Sequence, residues 1–197
     1  MHNDKLRTQA LIAFILLLCS SLLIANPAQQ PPQTDNNLVI SGSWKAGYDP
    51  YGSRVDWGKT SEQAIKTVFS LNGKQNAQNW PYVELIYSSP NSLEGVKTIQ
   101  LAYKSSTPMI VKLSQSDFSS AGDNSYAHYQ IKIPATKKWK TIKLKTKKFK
   151  QPGWAPKSAK AIDLNLGNVS AVYFAPDIDL EKGGEGVFEL QELKLLP

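Results

Sequence analysis

Thr98-Ile99-Gln100-Leu101-Ala102-Tyr103-Lys104-Ser105-Ser106-Thr107-Pro108-Met109-Ile110-Val111-Lys112-Leu113 holds two alternating runs separated by a Ser-Ser-Thr-Pro break. Successive side chains on a strand point to opposite faces. Ile99, Leu101 and Tyr103 therefore share one face, with Gln100 and Lys104 on the other. Met109, Val111 and Leu113 repeat the pattern, and the break supplies turn chemistry. The stretch reads as two short strands, each with one buried and one wet face.

The same period of two recurs in both directions. It places Ile65, Thr67, Phe69 and Leu71 on one side of a strand, and likewise Val83, Leu85 and Tyr87. Further along it picks out Tyr129, Ile131 and Ile133, then Ile142 and Leu144, Val172 and Phe174, and Phe188 and Leu190. Near the end, Leu190 and Leu193 break parity before Leu195 restores it, which predicts a β-bulge near Gln191. Turn clusters at 88–92, 119–124 and 182–186 separate the runs, and only 155–166 admits a short helix. The fold class that follows is all-β, an antiparallel jelly-roll β-sandwich.

Residues 1–25 read as a secretory signal peptide. His2, Lys5 and Arg7 precede a nearly apolar run over 10–25, about 16 positions where a membrane span needs roughly 20. The expected location is secreted or periplasmic, with no integral membrane association after signal cleavage. Residues 26–37, with Pro27, Pro31 and Pro32, read as a Pro/Gln-rich flexible segment. The remaining 38–197 forms one domain, large enough for a core of its own and expected to be a monomer. Cys19 is the only cysteine and lies in the signal, so the mature chain has no disulfide and no cysteine chemistry.

The net charge is +7, and loss of Asp4, Lys5 and Arg7 with the signal lowers it by one. Lys137, Lys138, Lys140, Lys143, Lys145, Lys147, Lys148 and Lys150 concentrate much of that charge in one run. Lysine on the wet side of a strand discourages edge-to-edge pairing. The strip also offers a positive surface to an acidic polymer. No motif interleaves aromatics with these lysines, so nucleic acid is not an expected partner. Nor does the chain carry a Gly-x-Ser-x-Gly elbow, a His-Glu-x-x-His helix or a phosphate loop.

If Tyr129, Ile131 and Ile133 are buried, Tyr126, His128 and Gln130 face the other way, joining a ring, an imidazole and an amide in one row. Tyr82 alternates with Glu84 away from the core and offers a second platform. Tyr48, Tyr51, Arg54 and Trp57 fall in a loop-rich stretch, where Arg54 either reaches a ligand or pairs with Asp49 or Asp56. Trp154 either folds back over the sandwich edge or meets a ligand; Trp80 reads as a rim plug and Trp139 as core or edge packing.

The order of landmarks resembles a known family. Trp44 and Asp49-Pro50-Tyr51-Gly52-Ser53 are followed by Trp80-Pro81-Tyr82, Tyr129-Gln130-Ile131 and Trp139-Lys140-Thr141-Ile142-Lys143-Leu144. Phe149-Lys150-Gln151-Pro152-Gly153-Trp154, Val172-Tyr173-Phe174 and a closing run from Phe188 to Leu195 complete the series. Together they resemble the galactose-binding-like β-sandwich of family 11 carbohydrate-binding modules. The resemblance implies non-catalytic binding of a polysaccharide or oligosaccharide, a β-glucan or another cell-wall polymer, with Tyr126, His128, Gln130, Tyr82, Trp154 and Arg54 as contacts. It also implies a structural calcium, for which Asp49 and Glu192 are the expected ligands, although Gln191-Glu192 stands where relatives often carry two acids. The alternative is a structural or protein-interaction domain of an exported complex that has lost its sugar face.

Overall fold

A computed structural model describes residues 36–197. The expected signal peptide and most of the flexible segment lie outside these residues. Among the described residues no helix is long and apolar enough to cross a membrane. They contain ten strands: β1 (Ser43–Tyr48), β2 (Arg54–Lys59), β3 (Ile65–Asn72), β4 (Val83–Ser88), β5 (Thr98–Ser105), β6 (Met109–Gln115), β7 (Tyr129–Ile133), β8 (Thr136–Lys145), β9 (Val169–Pro176) and β10 (Gly183–Leu196). A first five-stranded sheet runs β1-β4-β9-β6-β7 and a second β2-β3-β10-β5-β8, with every pairing antiparallel.

The inner faces are those the alternation marks. Leu85, Val111 and Phe174 of the first sheet meet Phe69, Leu101 and Phe188 of the second in one fully buried core. Phe174 stacks on Phe188 at 5.4 Å between ring centroids, and so the two central strands, β9 and β10, are joined through their rings. Trp44 closes one end against Tyr87, and its indole N–H donates to the Leu38 carbonyl at 2.9 Å.

The predicted bulge is present, since the β10–β5 register shifts between Leu190 and Glu192. Asn37 fills it: its amide donates to the Gln191 carbonyl at 2.8 Å, while its side-chain oxygen accepts from Leu193 N–H at 3.1 Å. The same oxygen accepts from Val39 N–H and so caps a one-turn helix, α1 (Leu38–Ser41). The folded domain thus includes Asn37, one residue before the expected boundary. Asn37→Ala should cost about 1–3 kcal/mol through the lost cap and the unpaired bulge groups. A thermal melt checks this, and an unchanged midpoint would mean that the bulge holds itself.

One expectation needs correction. Arg54 and Trp57 lie on a strand, β2, and not in a loop. This edge strand buries only Val55, so its alternation has one apolar residue to show. Of the two readings of Trp139 the edge one holds: it is half-buried on β8, an edge strand of the second sheet, with Lys104 Nζ 4.5 Å from its ring centroid. The expected helix is the short α2 (Lys157–Lys160). β8 is the other edge of the second sheet, and all its lysines are exposed, as an edge guarded by charge requires.

Candidate ligand-binding face

Residues paired across antiparallel strands project to the same side. On the first sheet, Lys45 pairs with Ile86, Ile86 with Tyr173, Tyr173 with Lys112, and Lys112 with Gln130. An isolated bridge then extends the row from Gln130 to Lys150, with Gln130 N–H donating to the Lys150 carbonyl at 2.8 Å. These partners alternate with the core residues Tyr87, Leu85, Val172, Phe174, Val111 and Leu113, so the row lies on the outer face. With strands about 4.8 Å apart, it crosses roughly 24 Å of sheet.

Ile86 and Glu84 are buried although they face outward. Gly47 on β1 explains part of this: a Cβ there would sit 3.0 Å from Ile86 Cδ1 and 3.9 Å from both Glu84 Oε2 and Tyr82 Cε2. A missing side chain thus lets Ile86, Glu84 and the Tyr82 ring converge. Glu84 accepts from Lys112 Nζ at 2.7 Å, and the pair reaches across β9, which separates β4 from β6. Pairing two partly desolvated charges fixes their positions more than it adds stability.

Tyr173 stands in the middle of the row. Ser114 Oγ–H donates to its hydroxyl oxygen at 2.9 Å. His128 meets it edge to face at 5.8 Å, and meets Tyr126 the same way at 6.3 Å and Phe118 at 6.1 Å. Tyr126 has φ of 54°, a left-handed backbone that costs a bulky residue energy and is held by its N–H to the Phe118 carbonyl at 2.7 Å. Its ring is 55% exposed and that of Tyr82 46%. Burial first, then the negative charges of Glu84 and Asp49, push the Tyr82 hydroxyl above its ordinary value.

The sequence row therefore divides. Gln130 lies on the face and Tyr126 leans over it, but His128 is only 4% exposed and acts as the wedge between Phe118, Tyr126 and Tyr173. Burial lowers the His128 pKa to about 4, with Glu84 raising it, Lys112 lowering it and Asp123 raising it by smaller amounts. Its Nδ1 is buried without a hydrogen-bond partner among the described residues. Arg54 leaves the outer side of the second sheet, because its neighbour Val55 faces the core. It lines a separate shallow concavity of about 400 Å³ with the loop between β1 and β2 and makes no ion pair with Asp49 or Asp56 among the described residues. Trp154 does not fold back: it is 66% exposed at the tip of a turn closed by Ala155 N–H to the Pro152 carbonyl. Trp80 is no plug either, since its exposed ring carries Lys74 Nζ at 4.4 Å.

Asp49 and Glu192 do not fit a shared calcium site. Asp49 accepts from Tyr51 N–H at 2.7 Å and Tyr82 N–H at 3.0 Å, beside the first sheet. Burial opposes its ionisation, but the Ser53 hydroxyl and the backbone N–H groups of Tyr82, Tyr51 and Ser53 prevail and hold its pKa low. Glu192, on β10 of the second sheet, accepts from the Gln100 amide at 2.6 Å and Lys194 Nζ at 2.5 Å. Asp49 is held by N–H groups of the loops flanking β1 and β4 and Glu192 by side chains of the second sheet, and no grouping of three acids, histidines or cysteines suited to an ion occurs among the described residues. Asp49 instead anchors the backbone of Tyr82.

Tyr173, Lys112, Ser114 and Gly47 were not singled out by sequence, although parity could have found the first two. Tyr173 lies between the core residues Val172 and Phe174, and Lys112 between Val111 and Leu113.

The architecture has close counterparts among solved structures. A family 11 carbohydrate-binding module from Clostridium thermocellum, in complex with a β-1,3-1,4-mixed-linked tetrasaccharide, superposes with a TM-score of 0.55 over 78% of this chain and 91% of that one, at 18% identity. This chain shares its fold. A family 11 module of a cellulosomal cellulase from the same organism gives 0.54 over 76% and 87%, at 17% identity. No protein-family model and no curated protein matches the chain.

Proposed function

We propose that the outer face of the first sheet binds a cell-wall polysaccharide without catalysis, outside the cytoplasm. The observation that carries this reading is the convergence of Tyr82, Tyr126 and Tyr173 around the Glu84–Lys112 pair on an exposed sheet face. The axial C–H groups of a pyranose form an apolar patch suited to a flat ring, while the polar rim of such a face hydrogen-bonds hydroxyls. Glu84 Oε2, the Gln130 amide and the Tyr173 hydroxyl supply that rim. Hydrolysis would need two carboxylates flanking the scissile bond. Among the described residues the row itself carries no acid, and Glu84 beside it is held by Lys112. The tetrasaccharide carried by the similar module makes mixed-linked β-glucan the reference ligand for a panel.

Affinity electrophoresis against glucans, xylans and uronic-acid polymers tests the proposal. Tyr82→Ala and Tyr126→Ala should each weaken binding about tenfold, the worth of one lost ring contact. If no polymer retards the wild-type protein, the reading fails. Sustained release of reducing ends or of unsaturated products would overturn its non-catalytic part.

A further inference from the structure

The charge along this face is unbalanced. Lys112 is answered by Glu84, and Lys132, one step along β7 from the row, by Asp177 at 2.8 Å. Lys45 and Lys150, at the two ends of the row, are exposed and make no ion pair among the described residues. The row is therefore neutral and aromatic in the middle and cationic at both ends. Lys150 is also the last residue of the lysine run, whose other members, over 137–148, are exposed and equally without ion pairs among the described residues. Lysines along β8 guard that edge strand. This run continues off β8, through the turn at 146–148, to the very end of the row.

Taking the proposed sugar face as its basis, we infer that the site selects an acidic polysaccharide, a carboxylate-bearing chain such as a polyuronate. The polymer crosses the strands with its rings over Tyr82, Tyr126 and Tyr173. Its carboxylates meet Lys45 and Lys150, and its overhang passes the lysines of the turn at 146–148. A rigid row roughly 24 Å long is matched by several sugar units, and charges fixed at both ends favour a ligand whose charge repeats along its length. Such pairs lie in the open, so their contribution should fall steeply with salt.

The full chain would be run in gels containing polygalacturonate or alginate, each before and after reduction of its carboxyl groups, with neutral glucan alongside. At least one polyuronate should bind about tenfold more tightly than its reduced form. That gap should close in about 1 M NaCl, where the screening length is about 3 Å. The double variant Lys45→Gln/Lys150→Gln should lose most of the preference and keep its binding to the reduced polymer. Equal binding of acidic and reduced polymers, or binding of neutral glucan alone, overturns the charge selection and leaves the sugar face standing. Absence of binding to every polymer removes both. Equal retardation by single-stranded DNA, unaffected by Tyr126→Ala, would make the lysines a general polyanion surface and overturn the inference.

Discussion

Phe188→Ala is expected to lower the unfolding free energy by about 3–5 kcal/mol. Phe188 lies on β10, the central strand of the second sheet, with no exposed surface. Its ring stacks on Phe174 of β9, the central strand of the first sheet, at 5.4 Å and 24° between planes, and Tyr103 lies 6.2 Å away. Both neighbours are fixed by strands paired on either side, which limits how far they can collapse into the gap. The cavity would be lined by rings and aliphatics and stay dry, so the lost contacts would not be replaced by water. For a domain of this size each kcal/mol moves the midpoint by about 2–4 °C, giving a fall of roughly 10 °C. Urea denaturation should show a lower midpoint with an unchanged slope. The loss should reach the ligand face as well: Tyr173 is the residue before Phe174, and loosening β9 from β10 loosens Tyr173. A destabilisation below about 1 kcal/mol would show that the site relaxes freely and that these rings do not couple the sheets.

Parity made the inner faces legible, because Leu101, Val111 and Phe188 must all meet the same core and each sits between polar or outward neighbours. The bulge was legible for the same reason, since a break in parity has one economical explanation. β2 was not, because an edge strand with one buried residue has no pattern to read. The site was half legible. Parity placed Gln130 and Tyr82 on the outside, but it cannot say which outward residues are then covered. His128 is covered by Phe118, in the turn at 116–118, and by Tyr126, whose left-handed backbone turns it over the face. Asp49 misled for a related reason. A carboxylate after the first strand suits an ion or a backbone anchor equally well until the Tyr51 and Tyr82 amides are seen to occupy it.

Acidification from pH 7 to 5 is expected to remove about 2 kcal/mol of stability through His128 alone, rising to about 3 kcal/mol near pH 4. In the unfolded chain this imidazole titrates at its ordinary value of 6.5, whereas in the folded protein burial lowers it to about 4. Between those values the unfolded state binds a proton that the native state refuses, so stability falls as pH falls. Below about 4 both states are protonated and the dependence from this group ends. Asp49 and Glu192 are held below their ordinary values, so their losses come at still lower pH and leave the 7-to-5 window to His128. His128→Gln should flatten stability across that window, as read by urea midpoints at each pH. Ligand binding should hold across that window and weaken only near pH 4, where the native imidazole takes up its proton, because a charged imidazole needs water where Tyr126, Tyr173 and Phe118 now pack against it. If binding to a neutral polymer falls equally in His128→Gln, another titrating group governs the face. If it holds steady in the variant and falls in the wild type, the wedge between the tyrosines is what keeps the binding surface assembled.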